Sequence, residues 1–339
     1  MIRGEKVKRK VIIFLSAISL FMFCGCFKKS NDNLLDEFKK KVTKSDNYYL
    51  SGELEIMNNE DIYSYIVEVA YKKDEQFRVE LKNKTNDHTQ IILKNKEGVF
   101  VLTPSLNKSF KFQSDWPYNG SQSYLLQTII TDIEEDNDRK TEKTEEGIII
   151  TTKTNYSNNK NLVNQKIYLD KDSNVTKVEV FDKEGVVKIR MLFSDVDYDT
   201  KFDDNYFDLN SNMQASKTEE LEESLEEIDD VVYPMFLPDN TYLSGENKVS
   251  KTDGERVILT FSGEKPFTLV QETVSISDEF ETISTFGEPE LLLDTIGILD
   301  DQTVSWISEG VEYYITSEVM NKSELLEVAA SISQVPIEK

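Results

Sequence analysis

The chain has 339 residues, enough for two domains after a leader, and its 13 Gly, 7 Pro and 38% apolar residues are a globular composition, neither disordered nor fibrous. A formal net charge of −24 argues against nucleic acid and against a polybasic hold on anionic lipid. Residues 1–25 hold five Lys/Arg and one Glu, so the rest of the chain stands near −28, a charge that mainly serves solubility.

The basic residues Lys6, Lys8, Arg9 and Lys10 precede an apolar run from Val11 to Phe23. That run is shorter than the ~20 residues of a spanning helix and reads as a secretory leader. Gly25 followed by Cys26 ends it in the bacterial lipoprotein pattern. Cys26 is therefore expected to become the first residue of the mature chain, carrying palmitate-type acyl chains; two or three chains anchor stably where one is marginal. Cys24 is the rival lipid site, but Phe23 before it is too bulky for cleavage, and an uncleaved single-pass anchor is the alternative. With Cys24 removed and Cys26 acylated, no thiol remains for a disulfide.

Residues 26–33 read as a tether. Leu34, Leu35, Phe38 and Val42 then fall at helical spacing, which predicts an amphipathic helix over 32–45 packed on a sheet. Alternating segments follow at Tyr48–Met57, Ile62–Tyr71, Phe77–Leu81, Thr89–Leu93, Val99–Leu102 and Ser109–Gln113, joined by polar turns. This pattern predicts an antiparallel meander. The meander is interrupted at Asp115–Gly120, and Ser121–Ile133 is predicted as a helix with Tyr124, Leu125, Thr128 and Ile129 on one face. A charged loop, 134–146, leads to four more strands at Ile148–Thr154, Leu162–Leu169, Val175–Phe181 and Val186–Phe193, with hairpin turns at 170–174 and 182–185. The domain is expected to close near Tyr206–Leu209.

Residues 212–230 contain eight Asp/Glu and one Lys, with Leu221, Leu225 and Ile228 at helical spacing. This is an acidic linker helix or a solvated spacer, with partner binding as the alternative. Beyond it, strands are predicted at Val257–Ser262, Phe267–Ser275, Val304–Ile307 and Val311–Ser317, then a final helix over Lys322–Ile332 capped by Ser323. Short strands with a terminal helix make a small α+β domain.

Catalytic constellations are scarce. His88 is the single histidine and sits beside a predicted turn, so a Ser–His–Asp or Cys–His site has no support, and there is no zinc motif, phosphate-binding glycine loop or redox cysteine pair. Two acidic runs, Asp132 to Asp138 and Asp195 to Asp199, lack the Gly and Glu of a calcium loop. No metal, cofactor or enzymatic activity is expected. A pair of carboxylates acting on glycan is the remaining enzyme reading. Phe100, Phe110, Phe112, Trp116, Tyr118 and Tyr124 cluster around one strand–loop–helix segment. They are core packing or, as the functional alternative, the candidate partner or ligand surface on an open sheet.

The order of helix, meander, interrupting helix and four further strands resembles the LolA/RseB-like lipoprotein-carrier superfamily. The resemblance rests on Phe77-Arg78-Val79-Glu80, Gln90-Ile91-Ile92 and Val99 to Lys108. Lys111 to Pro117 followed by Gln122-Ser123-Tyr124-Leu125-Leu126 is similar to the sporulation lipoproteins of spore-forming Gram-positive bacteria, the YdcC and GerS group. Val304-Ser305-Trp306, Gly310 to Ile315 and the closing helix resemble the RseB-type C-terminal domain. The resemblance implies an α+β, mostly antiparallel fold: an incomplete β-barrel over 34–210, its concave face covered by helices or acyl chains. An acidic linker over 211–230 and a small α+β domain over 231–339 complete the expected layout. It also implies a lipid-anchored binding protein on the outer face of the cell membrane or in the forespore envelope. Such a protein acts in sporulation, cortex assembly or germination through a protein partner such as a cortex amidase. The alternative it carries is a lipid or lipoprotein carrier or sensor, and an anchor at Cys26 is at odds with shuttling cargo.

Overall fold

The computed structural model of the chain describes residues 31–332 except 60, 216–226, 253 and 277–278. Cys26 and the leader lie outside the described residues, as do Leu221 and Leu225 of the acidic segment.

Alternation in the sequence becomes alternation in burial. In β1 (Asn47–Asn58) Tyr48, Leu50 and Leu54 face the core, and in β3 (Gln76–Asn83) Phe77, Val79 and Leu81 do the same. Between them runs β2 (Asp61–Lys72); after them come β4 (Thr89–Asn95), β5 (Gly98–Thr103) and β6 (Lys108–Phe112). The second half of the sheet is β7 (Lys140–Lys143), β8 (Gly147–Lys153), β9 (Leu162–Asp170), β10 (Val175–Asp182) and β11 (Val187–Asp197). The two halves meet where β1 pairs antiparallel with β11, with a bulge at Ser51/Gly52. A Cβ on Gly52 would run into the Leu192 carbonyl and the Met191 side chain, so the bulge requires glycine.

One face of this sheet is covered by helices α1 (Asn31–Lys44) and α2 (Leu126–Glu135). Leu34, Leu35, Phe38 and Val42 of α1 share a buried core with Leu126, Ile129 and Ile133 of α2, Val67 and Val79 of the first half, and Ile150, Ile167 and Val178 of the second. The other face is covered chiefly over β4 and β5, with Ala70 of β2 and Tyr49 of β1 joining the same cluster. There Ile91, Leu93, Phe100 and Leu102 pack against Phe207 and against Met213 of helix α3 (Leu209–Ala215). This double covering explains why β4 and β5 read as nearly continuous apolar runs.

The C-terminal segment builds a seven-stranded sheet in the order β12-β13-β14-β19-β18-β17-β16. Its strands are β12 (Thr241–Lys251), β13 (Gly254–Gly263), β14 (Phe267–Thr273), β16 (Glu288–Leu291), β17 (Ile296–Leu299), β18 (Thr303–Ser308) and β19 (Val311–Thr316). Helix α4 (Lys322–Ala329) buries Leu325, Leu326, Val328 and Ala329 in a core with Val257, Leu259 and Ile315. Strand β15 (Glu281–Thr285) leaves this sheet and pairs parallel with β6, so the first sheet has twelve strands, with β7 and β15 at its outer edges. The sheet is therefore open, mostly antiparallel and helix-covered, with a second α+β unit beside it: the architecture that the family resemblance implies.

Four local expectations change. The helix expected from Ser121 starts at Leu126, because the preceding backbone is held elsewhere. The Ser121 N–H donates to the Asn155 carbonyl, and the Thr128 hydroxyl holds both the N–H and the C=O of Gln122. The charged loop over 134–146 contains β7, whose side chains are mostly exposed and so leave no apolar alternation to read. For the same reason β12, with exposed side chains along most of its length, escapes a pattern reading. At α4 the cap is Asn321, not Ser323: the Asn321 side chain accepts from the Glu324 N–H at 3.2 Å while the Glu324 carboxylate accepts from the Asn321 N–H at 2.9 Å.

Candidate functional site

Loop 115–125 frames the candidate site. It crosses one end of the first sheet and is pinned from below by Asp132 on α2. The Asp132 carboxylate accepts from the Ser121 hydroxyl at 2.9 Å and from the Gln165 amide at 2.7 Å. Ser121 in turn accepts from the Asn155 N–H at 2.7 Å. One buried carboxylate therefore ties α2, β9, the 115–125 loop and the 154–161 loop together. Burial pushes Asp132 up to about 6, against the pull of the Ser121 and Gln165 hydrogen bonds.

Above this knot lies a cavity of about 430 Å³. Its floor is apolar, with Ile56, Ile92 and Ile189 from the sheet and Leu162 beside them. One wall is the loop Asn119–Tyr124, another the loop Tyr156–Asn161, and the roof is Pro289–Leu293 together with Leu326 and Ala330 from the α4 region. The C-terminal unit is held over the opening by hydrogen bonds. Tyr65 donates to the Leu293 carbonyl at 2.9 Å, Asn58 to the Ala330 carbonyl at 3.1 Å, and Asn161 to Glu327 at 2.8 Å. The Gln90 side chain accepts from both Thr295 and Ile296.

Two carboxylates stand at the roof. Glu288 and Glu290, two positions apart on β16, both accept from the Asn158 amide, at 3.1 and 2.9 Å. Burial pushes Glu290 up to about 7; the Asn158 bond opposes this, the neighbouring Glu288 charge adds to it, and Lys322 offsets part of it. A glycoside-cleaving pair must flank the scissile bond from two sides. Glu288 and Glu290 share one donor and one strand, so they do not offer that arrangement. Among the described residues no group of three or more His, Cys, Asp or Glu could hold a metal ion.

The six aromatic residues singled out in the sequence do not form one surface. Trp116 is buried and meets Phe77 edge-on, with ring centroids 5.9 Å apart; Phe112 is buried in the same core. Phe100 sits on the opposite face of the sheet, since it pairs with Lys111 while its neighbours Val99 and Val101 pair with Phe112 and Phe110. Phe110 is partly buried and faces Ile283 of β15 in the strand pairing. Tyr118 alone is well exposed, its ring under the Lys94 ammonium at 5.0 Å. Tyr124 is buried and lines the cavity. The period-two geometry of the strands and the depth of the loop separate them.

The sequence reads Tyr233 to Pro238 as an apolar, Pro-flanked entry to the second domain, and the structure leaves several of its apolar side chains exposed. Tyr233, Met235 and Phe236 precede β12, and Tyr242 and Leu243 begin it; Met235 is 82% exposed. Tyr233 donates to Glu246 at 2.9 Å, which places this approach segment along the strand. Among the described strands, β12 is an outer strand of its sheet and has an unpaired edge. Beyond Tyr242 and Leu243, which are adjacent and so point to opposite faces of the strand, β12 is mostly polar and exposed, and no alternation marks it.

Comparison with known proteins adds the family. The model of the sporulation protein YdcC-like family matches residues 7–207. The chain is 36% identical over 332 residues to the sporulation protein YdcC of Bacillus subtilis (strain 168), covering 97% of this chain and 98% of that protein. Among solved structures, the MucA/MucB complex of Pseudomonas aeruginosa is similar at 13% identity and a TM-score of 0.33, over 89% of this chain and 98% of the matched one. The CwlD amidase in complex with the GerS lipoprotein, from Clostridioides difficile, is similar at 19% identity and a TM-score of 0.31, over 52% and 98%. Structural likenesses this low say nothing about activity or partners.

Proposed function

Because the chain belongs to the sporulation protein YdcC-like family, we propose that it is a non-enzymatic binding protein of the spore or cell envelope, anchored through Cys26 and acting on a protein partner. The observation that carries the partner reading is the unpaired edge of β12 with Tyr233, Met235, Phe236, Tyr242 and Leu243 exposed along its approach and start. An open strand edge offers main-chain hydrogen bonds, and neighbouring apolar side chains offer anchors, which together are the elements of strand-addition binding. The cytoplasmic side has no part in this reading: the basic leader and the Gly25-Cys26 junction call for export.

Co-purification from sporulating cells tests it. The wild-type chain is expected to retain an envelope protein, and the double variant Met235→Asp, Leu243→Asp is expected to lose about tenfold or more of it, as truncation of apolar anchors at an interface does. Retention of the same protein by both chains, or of no envelope protein by either, counts against the reading.

A further inference from the structure

Strand β6 would be an outer strand of the first sheet but for β15, which comes from the C-terminal unit and pairs with it in parallel. The register sets Glu281 opposite Lys108, Thr282 opposite Ser109 and Ile283 opposite Phe110. The Glu281 N–H donates to the Asn107 carbonyl at 3.1 Å, and the Thr282 and Ser109 hydroxyls share a hydrogen bond at 2.9 Å. These are the contacts a bound peptide makes with a sheet edge: main-chain hydrogen bonds, facing opposite charges, a side-chain bond and an apolar pair. The strand is lightly held. Glu281, Thr282 and Ser284 are exposed, Ile283 and Thr285 only half-buried, and Phe280 before them is partly buried against the Phe100 and Leu102 cluster. Among the described strands this is the one parallel pair, and parallel pairing is slightly weaker per residue. The rest of the C-terminal unit is tied down without it, through Tyr65 to Leu293, Asn58 to Ala330 and Gln90 to Thr295 and Ile296. Just past β15, Gly287 has a positive φ and lies so close to the Leu299 carbonyl that a Cβ would run into it, which fixes that end of the strand to β17.

We propose that the β6 edge is a strand-addition site for an extended segment of a partner protein, and that β15 holds it closed in cis. The present occupant defines the chemistry that fits: a carboxylate to face Lys108, a hydroxyl to meet Ser109 and a β-branched apolar residue to lie against Phe110, at three consecutive positions running parallel to β6. A basic segment is disfavoured, because Lys108 and Lys111 both belong to this strand. Covering an edge also guards against aggregation, but a guard has to stay in place, whereas a competitor for a binding site has to leave. Weak burial, parallel pairing and independent anchoring of the surrounding unit favour a strand that leaves. The site belongs to a different sheet from β12, so it stands or fails separately from the partner surface proposed above.

Hydrogen exchange of the full wild-type chain is the first test. The β15 amides are expected to exchange about tenfold or more faster than those of β14 and β19, through an opening that leaves both sheets folded. The second is fluorescence anisotropy with a labelled peptide of residues Glu279 to Phe286, EFETISTF. Ile283→Pro takes a donor out of the cis strand and is expected to bind this peptide about tenfold or more tighter than wild type, where the tethered β15 competes at high effective concentration. Lys108→Glu is a milder change that sets like charges against Glu281. It is expected to reverse the preference, binding a peptide with Glu281→Lys several-fold tighter than the native peptide. Exchange in β14 and β19 reports that each variant folds. The proposal is overturned if the wild-type β15 amides exchange only together with the rest of the sheet. Equal binding of the peptide to wild type and folded Ile283→Pro, or no binding to either, also overturns it and leaves β15 a fixed cover. So does a Lys108→Glu chain that does not distinguish the two peptides.

Discussion

Replacing Asp132 with Asn tests the buried knot under the cavity. In the folded chain burial holds this carboxyl at about 6, against 3.8 for an ordinary aspartate. A group raised in the folded state contributes stability that is complete below the unfolded pKa and is lost as pH rises through the folded one. The shift of roughly 2 units, at about 1.4 kcal/mol each, makes the ionised wild type about 3 kcal/mol less stable at high pH than it would be with a neutral side chain there. Asn removes that loss. Its amide oxygen still accepts from Gln165 and its NH₂ reaches Ser121, at the cost of about 1 kcal/mol for rearranging one hydrogen bond. Asp132→Asn is therefore expected to be about 2 kcal/mol more stable than wild type at pH 8. About 1.4 kcal/mol of that advantage should disappear by pH 5, where the wild-type carboxyl is largely protonated. Urea unfolding followed by tryptophan fluorescence at pH 5, 6.5 and 8 measures the gap, with a sequence pI of about 4.5 setting the lower limit. A gap that stays constant across this range, or a variant less stable than wild type at pH 8, would refute the buried-charge account. Asp132→Ala leaves the Ser121 hydroxyl and the Gln165 amide facing a hole and is expected to lose stability at pH 5, where Asp132→Asn loses little.

Three further outcomes follow from local geometry. Gly52→Ala places a Cβ against the Leu192 carbonyl at the β1–β11 bulge and should cost about 2 kcal/mol or more, read as a lowered urea midpoint; an unchanged midpoint would mean the bulge relaxes freely. Asn321→Ala removes the side-chain arm of the α4 capping box, leaving the backbone N–H of residue 321 on Glu324, and should cost about 1 kcal/mol, with Asn321→Asp recovering most of it; equal losses in the two variants would deny the cap its role. Cys26→Ser is expected to release the chain from the membrane fraction into the soluble one, and continued retention of that variant would favour an uncleaved anchor.

The first strands of the chain were legible because β1 and β3 alternate over a single buried face, and β4 and β5, covered on both faces, read as short apolar runs. Tyr48, Leu50 and Leu54, then Phe77, Val79 and Leu81, announce their burial by spacing alone. The amphipathic stripe of Leu34, Leu35, Phe38 and Val42 did the same for α1. The aromatic cluster was legible only as a cluster. Phe100 and Phe112 lie on opposite faces, and nothing in their spacing along different strands says which residues of the neighbouring strand they meet. Glu290 carried no signal in the sequence: its neighbour Asn158 lies 132 positions away, and only the placing of β16 against the 154–161 loop brings the two together.

What the sequence determined by itself is local in origin. Period-two and period-3.6 patterns and turn residues act within a few residues of one another and were enough to place the fold class, while the resemblance of segments such as Lys111 to Pro117 and Gln122 to Leu126 pointed to the family. Only the tertiary structure decided that β15 crosses to pair with β6, that Pro289–Leu293 roofs a cavity at the end of the first sheet, that Asp132 is buried and that Glu290 is half-buried against Asn158. The cavity roof and the Glu290 position depend on contacts between residues more than a hundred positions apart, such as Tyr65 with Leu293 and Asn158 with Glu290, and the Asp132 knot on contacts across separate elements of the first domain. Side-chain patterning tells a strand which way to face, whereas the identity of its distant neighbour is set by how the whole core packs.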